Sequence, residues 1–178
     1  MARIAPLNHR DAAVAKHIHA VHALAYAQEA LLLNVKAFPP LDRTVEDIQS
    51  STECYLGVLQ DETLVGVVGF EPDEEPGQVL ITSRVVHPKH QRRGYARALM
   101  VELFRMGAKD VFAVCTATAN APALDLYRSL GFSEYRFGTI GPEALPLVKL
   151  RRACPNPSIE GTASGRLRPP TAAPHVKR

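Results

Sequence analysis

Cysteine is scarce in this chain: among 178 residues only Cys54, Cys115 and Cys154 carry thiols, an odd number, far apart and without metal-ligand spacing. A reducing, cytoplasmic setting suits them. Long apolar runs are missing too, and none approaches the ~20 residues of a membrane span. The opening residues, MARIAPLNHRD, lack the apolar core of a secretory leader, so neither a membrane nor export is expected. The formal charge of +3 is also less than it looks, because the stretch from residue 153 carries Arg166, Arg168, Lys177 and Arg178 against Glu160 and accounts for the whole excess. The body is close to neutral. An extended basic face for nucleic acid is therefore absent, and only Arg92, Arg93 and Arg97 form a local positive group suited to one compact anion.

What is present suffices for one ordinary core. The composition is 46% hydrophobic and 22% charged, and a domain of this size hides about 70% of the surface its unfolded chain exposes. One domain over residues 1–152 is the economical reading, with no internal repeat. From residue 153 the text changes to Pro155, Pro157, Pro169, Pro170 and Pro174 scattered among small residues. A stretch so poor in large apolar side chains cannot offset its ordering entropy, and residues 153–178 are expected to be a disordered, proline-rich basic tail.

The chain is organised around Arg84–Met106. Arg84, Val85 and Val86 read as a strand end, and Pro88 forbids further ladder pairing. Leu99, Leu103 and Met106 then recur at helical spacing, which predicts a helix beginning near Arg93 or Gly94. Its first amides have no intrahelical partners and carry partial positive charge. Gly94 and Ala96 leave the turn bare, and three arginines add fixed charge, so the turn is suited to holding an anion. No Gly-Lys-Ser/Thr follows, and the three-glycine dinucleotide pattern is absent.

Around it the order is regular. A short strand at Ile4–Leu7 precedes a helix capped by Asp11 and reaching Leu33, with Val14, Ile18, Val21 and Ala25 on one face. His17, His19 and His22 lie on this helix, but no acidic residue or cysteine completes a ligand set at helical spacing; a solvated or pocket-lining face is expected, with no metal. Thr44 caps a short second helix ending near Ser51. Cys54–Leu59 and Leu64–Phe70 read as a hairpin, Glu71–Gly77 as a solvated acidic turn, and Val79–His87 as the strand entering the anion turn. Val111–Thr116 is a further strand. Pro122 sits in the first turn of a helix running to Leu130, and Phe132–Ile140 and Leu145–Arg151 complete the sheet.

Two stretches together resemble one family. Val86 and Pro88 followed by Gln91-Arg92-Arg93-Gly94-Tyr95-Ala96 match the Q/R-x-x-G-x-G/A motif of the GNAT-type N-acetyltransferases after its V-x-P strand exit. Downstream, Asn120, Ala123, Leu126, Tyr127, Gly131 and Phe132 match N-x-x-A-x-x-L-Y-x-x-x-G-F. The resemblance covers about residues 2–150. It implies an α/β fold, a mixed and mostly antiparallel sheet flanked by helices, in which two central parallel strands splay apart and leave a slot for acetyl-CoA. Carried over by position, the amides of Arg92, Arg93, Gly94, Tyr95, Ala96 and Arg97 hold the pyrophosphate, the backbone at Val86 pairs with the pantetheine amide, and Asn120 contacts the pantetheine arm. The same carry-over makes Tyr127 the donor of a proton or hydrogen bond to the leaving thiolate.

The implied reaction is direct attack of a primary amine, small-molecule or peptidyl, on the thioester, in a protein without nucleic-acid or membrane partners and with a homodimer permitted. The alternative is a catalytically silent acyl-CoA-binding sensor or scaffold of the same fold. Attack needs a neutral amine, and a lysine-type amine costs roughly 4 to 5 kcal/mol to deprotonate at pH 7 against about 1 for an α-amine. The sequence names no base for this. Val79–Ser83 holds no carboxylate, Glu71 is too remote, and His87 or a water relay through Ser83 stays open. In the resembling family the region around the first two helices overlies the acceptor site, which makes Tyr26, Glu29, Phe38 and Asp42 candidate contacts. Cys115, with no histidine placed to activate it, reads as a buried structural thiol.

Overall fold

Each helix begins where the sequence supplies a cap. A computed structural model of the chain describes residues 1–107 and 111–153, so nearly all of the tail expected from residue 153 lies outside the described residues. Strand β1 (Ala2–Leu7) leads to α1 (Ala12–Leu33), whose first amides are taken up by the Asp11 carboxylate at 2.8 and 3.1 Å. A 3₁₀ turn at Pro39–Leu41 precedes α2 (Val45–Ser50), where Thr44 and Asp47 form a reciprocal capping box. Then come β2 (Cys54–Gln60), β3 (Thr63–Pro72), β4 (Gln78–Val86), α3 (Tyr95–Met106), β5 (Val111–Ala117), α4 (Ala121–Ser129), β6 (Ser133–Ile140) and β7 (Leu145–Arg152). Among the described residues no helix is long and apolar enough to cross a membrane.

The strands form one seven-stranded sheet in the order β1-β2-β3-β4-β5-β7-β6, antiparallel except for β4 and β5. That parallel pair is short. Gln78–Ile81 face Val111–Val114, after which β4 continues to Val86 beside β3 alone and β5 continues to Ala117 beside β7 alone. The expected splay between the two central strands is this loss of pairing. It coincides with a β-bulge, because Gly69 faces Ser83 while Phe70 faces Ile81, leaving Thr82 as the extra residue of β4.

Alternation sends successive strand residues into two cores. Leu56, Val68, Ile81, Phe112 and Leu150 pack with Leu99, Met100 and Leu103 of α3 and with Leu124 and Tyr127 of α4. Tyr55, Val67 and Val85 pack on the other face against Ile18, Val21 and Ala25 of α1 and Ile48 of α2. Ile18 and Ile48 are fully buried, each worth about 1.5–3 kcal/mol over leaving the side chain in water.

Two expectations change here. The acidic turn is not simply solvated: Lys149 Nζ lies 2.8 Å from Asp73 and 3.7 Å from Glu75, Tyr135 donates to Glu75 at 3.0 Å, and Gln78 donates to Asp73 at 2.7 Å. These contacts tie the β3–β4 connection to β6 and β7, across the sheet from the splay. The histidines of α1 do not share one environment either. His17 is exposed, whereas His22, one position beyond Val21 on the apolar face, is 3% exposed against Tyr26 and Tyr55.

Candidate active site

The turn between β4 and α3 is assembled as its residue types require. Pro88–His90 form a 3₁₀ turn, Gln91 ties back to the Val86 carbonyl at 3.3 Å, and Arg92 (φ +63°) and Gly94 (φ +81°) both adopt left-handed backbone. Gly94 has open space where a Cβ would stand, and it caps α3 with no side-chain hydrogen bond. The first bond within α3 runs from Ala98 N to Gly94 O at 2.9 Å, so the preceding amides of the helix lack intrahelical partners. Tyr95 is fastened by its hydroxyl to Gln60 at 2.9 Å, and Arg97 reaches Ser129 at the end of α4 at 2.6 Å.

A cavity of about 530 Å³ opens on this turn. Val86, Arg92, Gly94, Tyr95, Ala96 and Arg97 line it, as does Asn120; of the residues expected at the cofactor, only Arg93 stays outside the lining. Bare backbone, unpaired helical amides and the arginine charge fit a diphosphate at this end. A second cavity, about 220 Å³, is walled by Tyr26, Phe38, Ser83, Cys115, Tyr127 and Leu147, among others. The two share Glu29, Arg84, Asn120 and Ala123, so a polar junction joins them.

At that junction each side chain is fixed by another element. Tyr127, 4% exposed and against Phe132, accepts a hydrogen bond from Arg84 Nε at 3.1 Å. The guanidinium carbon also lies 5.1 Å from the centre of its ring. A phenol oxygen that accepts in this way keeps its own hydrogen free to donate elsewhere. Asn120 caps α4 by accepting from Ala123 N at 3.2 Å and donates from Nδ2 to Glu29 Oε1 at 2.9 Å. Burial raises the Glu29 carboxyl above the usual glutamate range, with the Asn120 hydrogen bond and the Arg84 charge pulling the other way.

Other candidates fall elsewhere. His87 uses Nδ1 to accept from Lys89 N and packs against His90, and it lines neither cavity. Asp42 is exposed and lines neither, and Glu71 is likewise remote. Cys115 is exposed on the wall of the smaller cavity and is not the buried thiol expected. Desolvation there raises its pKa, the opposite of what a nucleophilic thiolate requires. Among the described residues no group of three His, Cys, Asp or Glu is arranged to hold a metal ion. Arg84 was legible only as a strand residue, although a lone charge inside the run Ile81–Val86 is a usable signal. Glu29 is the only acidic residue of α1, and that isolation is the corresponding signal.

Comparison with known proteins identifies the family and the fold. The acetyltransferase (GNAT) family profile matches residues 19–132, more than half of the chain. The chain belongs to that family. It is 33% identical over 129 residues to the UPF0157 protein YqkA of Bacillus subtilis (strain 168), covering 72% of this chain but only 37% of that protein. Among solved structures it is similar to the ribosomal-protein-S18-alanine N-acetyltransferase of Escherichia coli, with TM-score 0.69, 17% identity, and coverage of 91% of this chain and 99% of that one. It is similar also to the PaiA N-acetyltransferase of Thermoplasma acidophilum in complex with coenzyme A, with TM-score 0.68, 12% identity, and coverage of 86% and 99%.

Proposed function

We propose that this chain is an acetyl-CoA-dependent N-acetyltransferase of the cytoplasm, acting on a primary amine by direct attack. The observation that carries the reading is the junction: a cavity ending on free helical amides meets a smaller one holding Tyr127, and Glu29, Arg84 and Asn120 line both. Acetyl-CoA, when bound, supplies an acetyl group activated on sulfur. The amides and charges from Arg92 to Arg97 would hold its diphosphate, and the free backbone of β4 near Val86 its pantetheine arm.

Glu29 supplies the base that the sequence alone left unnamed. Asn120 fixes one of its oxygens, the other remains able to take a proton from the acceptor's ammonium, and desolvation makes the carboxylate more basic than an exposed one. Tyr127 holds its proton on the oxygen that Arg84 steadies, and gives it, or a hydrogen bond, to the departing sulfur. Overall a C–N bond forms, the C–S bond breaks with its electron pair leaving on sulfur, and the products are the N-acetyl acceptor and the thiol of coenzyme A.

Calorimetry with acetyl-CoA and release of free thiol against a panel of amines test the proposal together. Tyr127→Phe is expected to lower kcat by about 100-fold while the dissociation constant for acetyl-CoA stays within a few-fold. Binding with no turnover on any amine would favour a silent acyl-CoA-binding module, and absence of binding would remove both readings.

A further inference from the structure

The junction carries more charge than cofactor binding and proton transfer use. Arg84 commits Nε to Tyr127, and its two terminal nitrogens bond to none of the described residues. Glu29 commits one oxygen to Asn120. Both line the same two cavities, yet among the described residues no ion pair joins them. A half-buried guanidinium with its fork unfilled is costly unless a planar anion completes it, and the anion that matches the fork is a carboxylate.

We propose that the acceptor is a small amine bearing a free carboxylate, an amino-acid-type molecule whose carboxylate is bound by the open fork of Arg84 and whose amine is received by Glu29. This rests on the transferase reading above. The opposite charges of Glu29 and Arg84 complement a zwitterion in one orientation, turning the amine toward the larger cavity, where the thioester would lie. Phe38, Pro40, Ile140, Leu145 and Leu147 give the smaller cavity an apolar far wall, so the body of the acceptor is apolar. At about 220 Å³ the space is below the ~300–1,000 Å³ typical of pockets for larger ligands. A peptide amino terminus brings no carboxylate at this distance from its amine and is a poor fit.

The test compares matched pairs: apolar L-amino acids, their amides, and the corresponding amines without the carboxyl group. Each is assayed for thiol release with acetyl-CoA and titrated calorimetrically in the presence of free coenzyme A. The acids are expected to exceed their amides by about 100-fold in kcat/KM and to bind measurably where the amides do not. In Arg84→Met that ratio is expected to fall to near one, whatever the variant's absolute rate, whereas Arg84→Lys keeps part of it. Equal use of acid and amide by the unmodified protein, or an unchanged ratio in Arg84→Met, would overturn the assignment while leaving the transferase intact. Turnover only with a dicarboxylic acyl donor such as succinyl-CoA would move the carboxylate to the donor and overturn it as well. Failure to bind acetyl-CoA at all would instead remove the reading on which it rests.

Discussion

His22 lies on the inner face of α1, 3% exposed, its ring edge-on to Tyr26 at 5.4 Å and 6.5 Å from Tyr55, with neither ring nitrogen hydrogen-bonded. Burial first, and then the charge of nearby Arg43, lower its pKa from 6.5 to about 4. The folded value is thus below the unfolded one. Between the two the unfolded chain takes up a proton that the folded chain refuses, so the His22 contribution is complete above about pH 6.5 and is lost as pH falls toward 4. At ~1.4 kcal/mol per pH unit, roughly 2 kcal/mol goes between pH 7 and pH 5, and about 3 by pH 4. The upper interval is the informative one. Against the opposing effect of burial, Arg43 holds Glu53 below the ordinary carboxylate range and Lys149 does the same for Asp73, and those groups release stability only below about pH 4.5. Glu29, raised by burial, acts with the opposite sign and is common to any pair of variants compared. Urea unfolding of the unmodified protein and of His22→Phe at pH 7 and pH 5 isolates the imidazole. With a slope of ~1–3 kcal/mol per molar urea, the midpoint of the former should drop by about 1 M between the two pH values, and that of the latter should stay nearly level. An equal drop in both would show that the imidazole is not the group responsible.

Two further outcomes are expected. Glu29→Gln should lower kcat/KM by about 10²- to 10⁴-fold, abolish the acidic limb of the pH–rate profile, and leave acetyl-CoA affinity within a few-fold by calorimetry. In Gly69→Ala the new Cβ would stand 2.7 Å from Ser83 Oγ and 2.8 Å from Thr82 Oγ1, costing about 1–3 kcal/mol in denaturant unfolding; Gly138→Ala, with nothing within 4 Å, serves as the near-neutral control.

The parts of this protein that announce themselves in sequence are those whose cause is local. The anion turn is written in consecutive residues, Pro88 stopping the strand and Gly94 opening α3, and both survive unchanged in the structure. The caps at Asp11 and Thr44 are equally local. What stayed illegible depends on partners far along the chain. Glu29 meets Asn120 across 91 positions, and Arg84 meets Tyr127 across 43. No periodicity of α1 or β4 contains those encounters. Asp73 and Glu75 read as solvent-loving because Lys149, the cation that holds them, lies on the last strand. His22 is an intermediate case: Ile18 is one turn before it and Tyr26 one turn after, which already put it on the buried face.

The site's geometry can be traced to one inserted residue. Ile81 packs in the α3–α4 core, whereas Val85, four positions later, packs in the α1–α2 core. In an unbroken strand residues four apart share a face, so the alternation has changed phase between them. The extra residue is Thr82, where the register against β3 shifts. The consequence is that Arg84 falls beside Tyr127 and not into the α1–α2 core, where Val85 lies. Had β4 run without the bulge, Arg84 and Val85 would have exchanged sides, and the phenol would have lost its donor to an apolar neighbour. The same residue marks the end of pairing with β5, which stops at Ile81 and Val114. A bulge sharpens the local twist and bends its strand, so it turns β4 away from β5 at the point where the slot begins. The opening that admits a cofactor and the side chain that faces it there thus have a common structural origin.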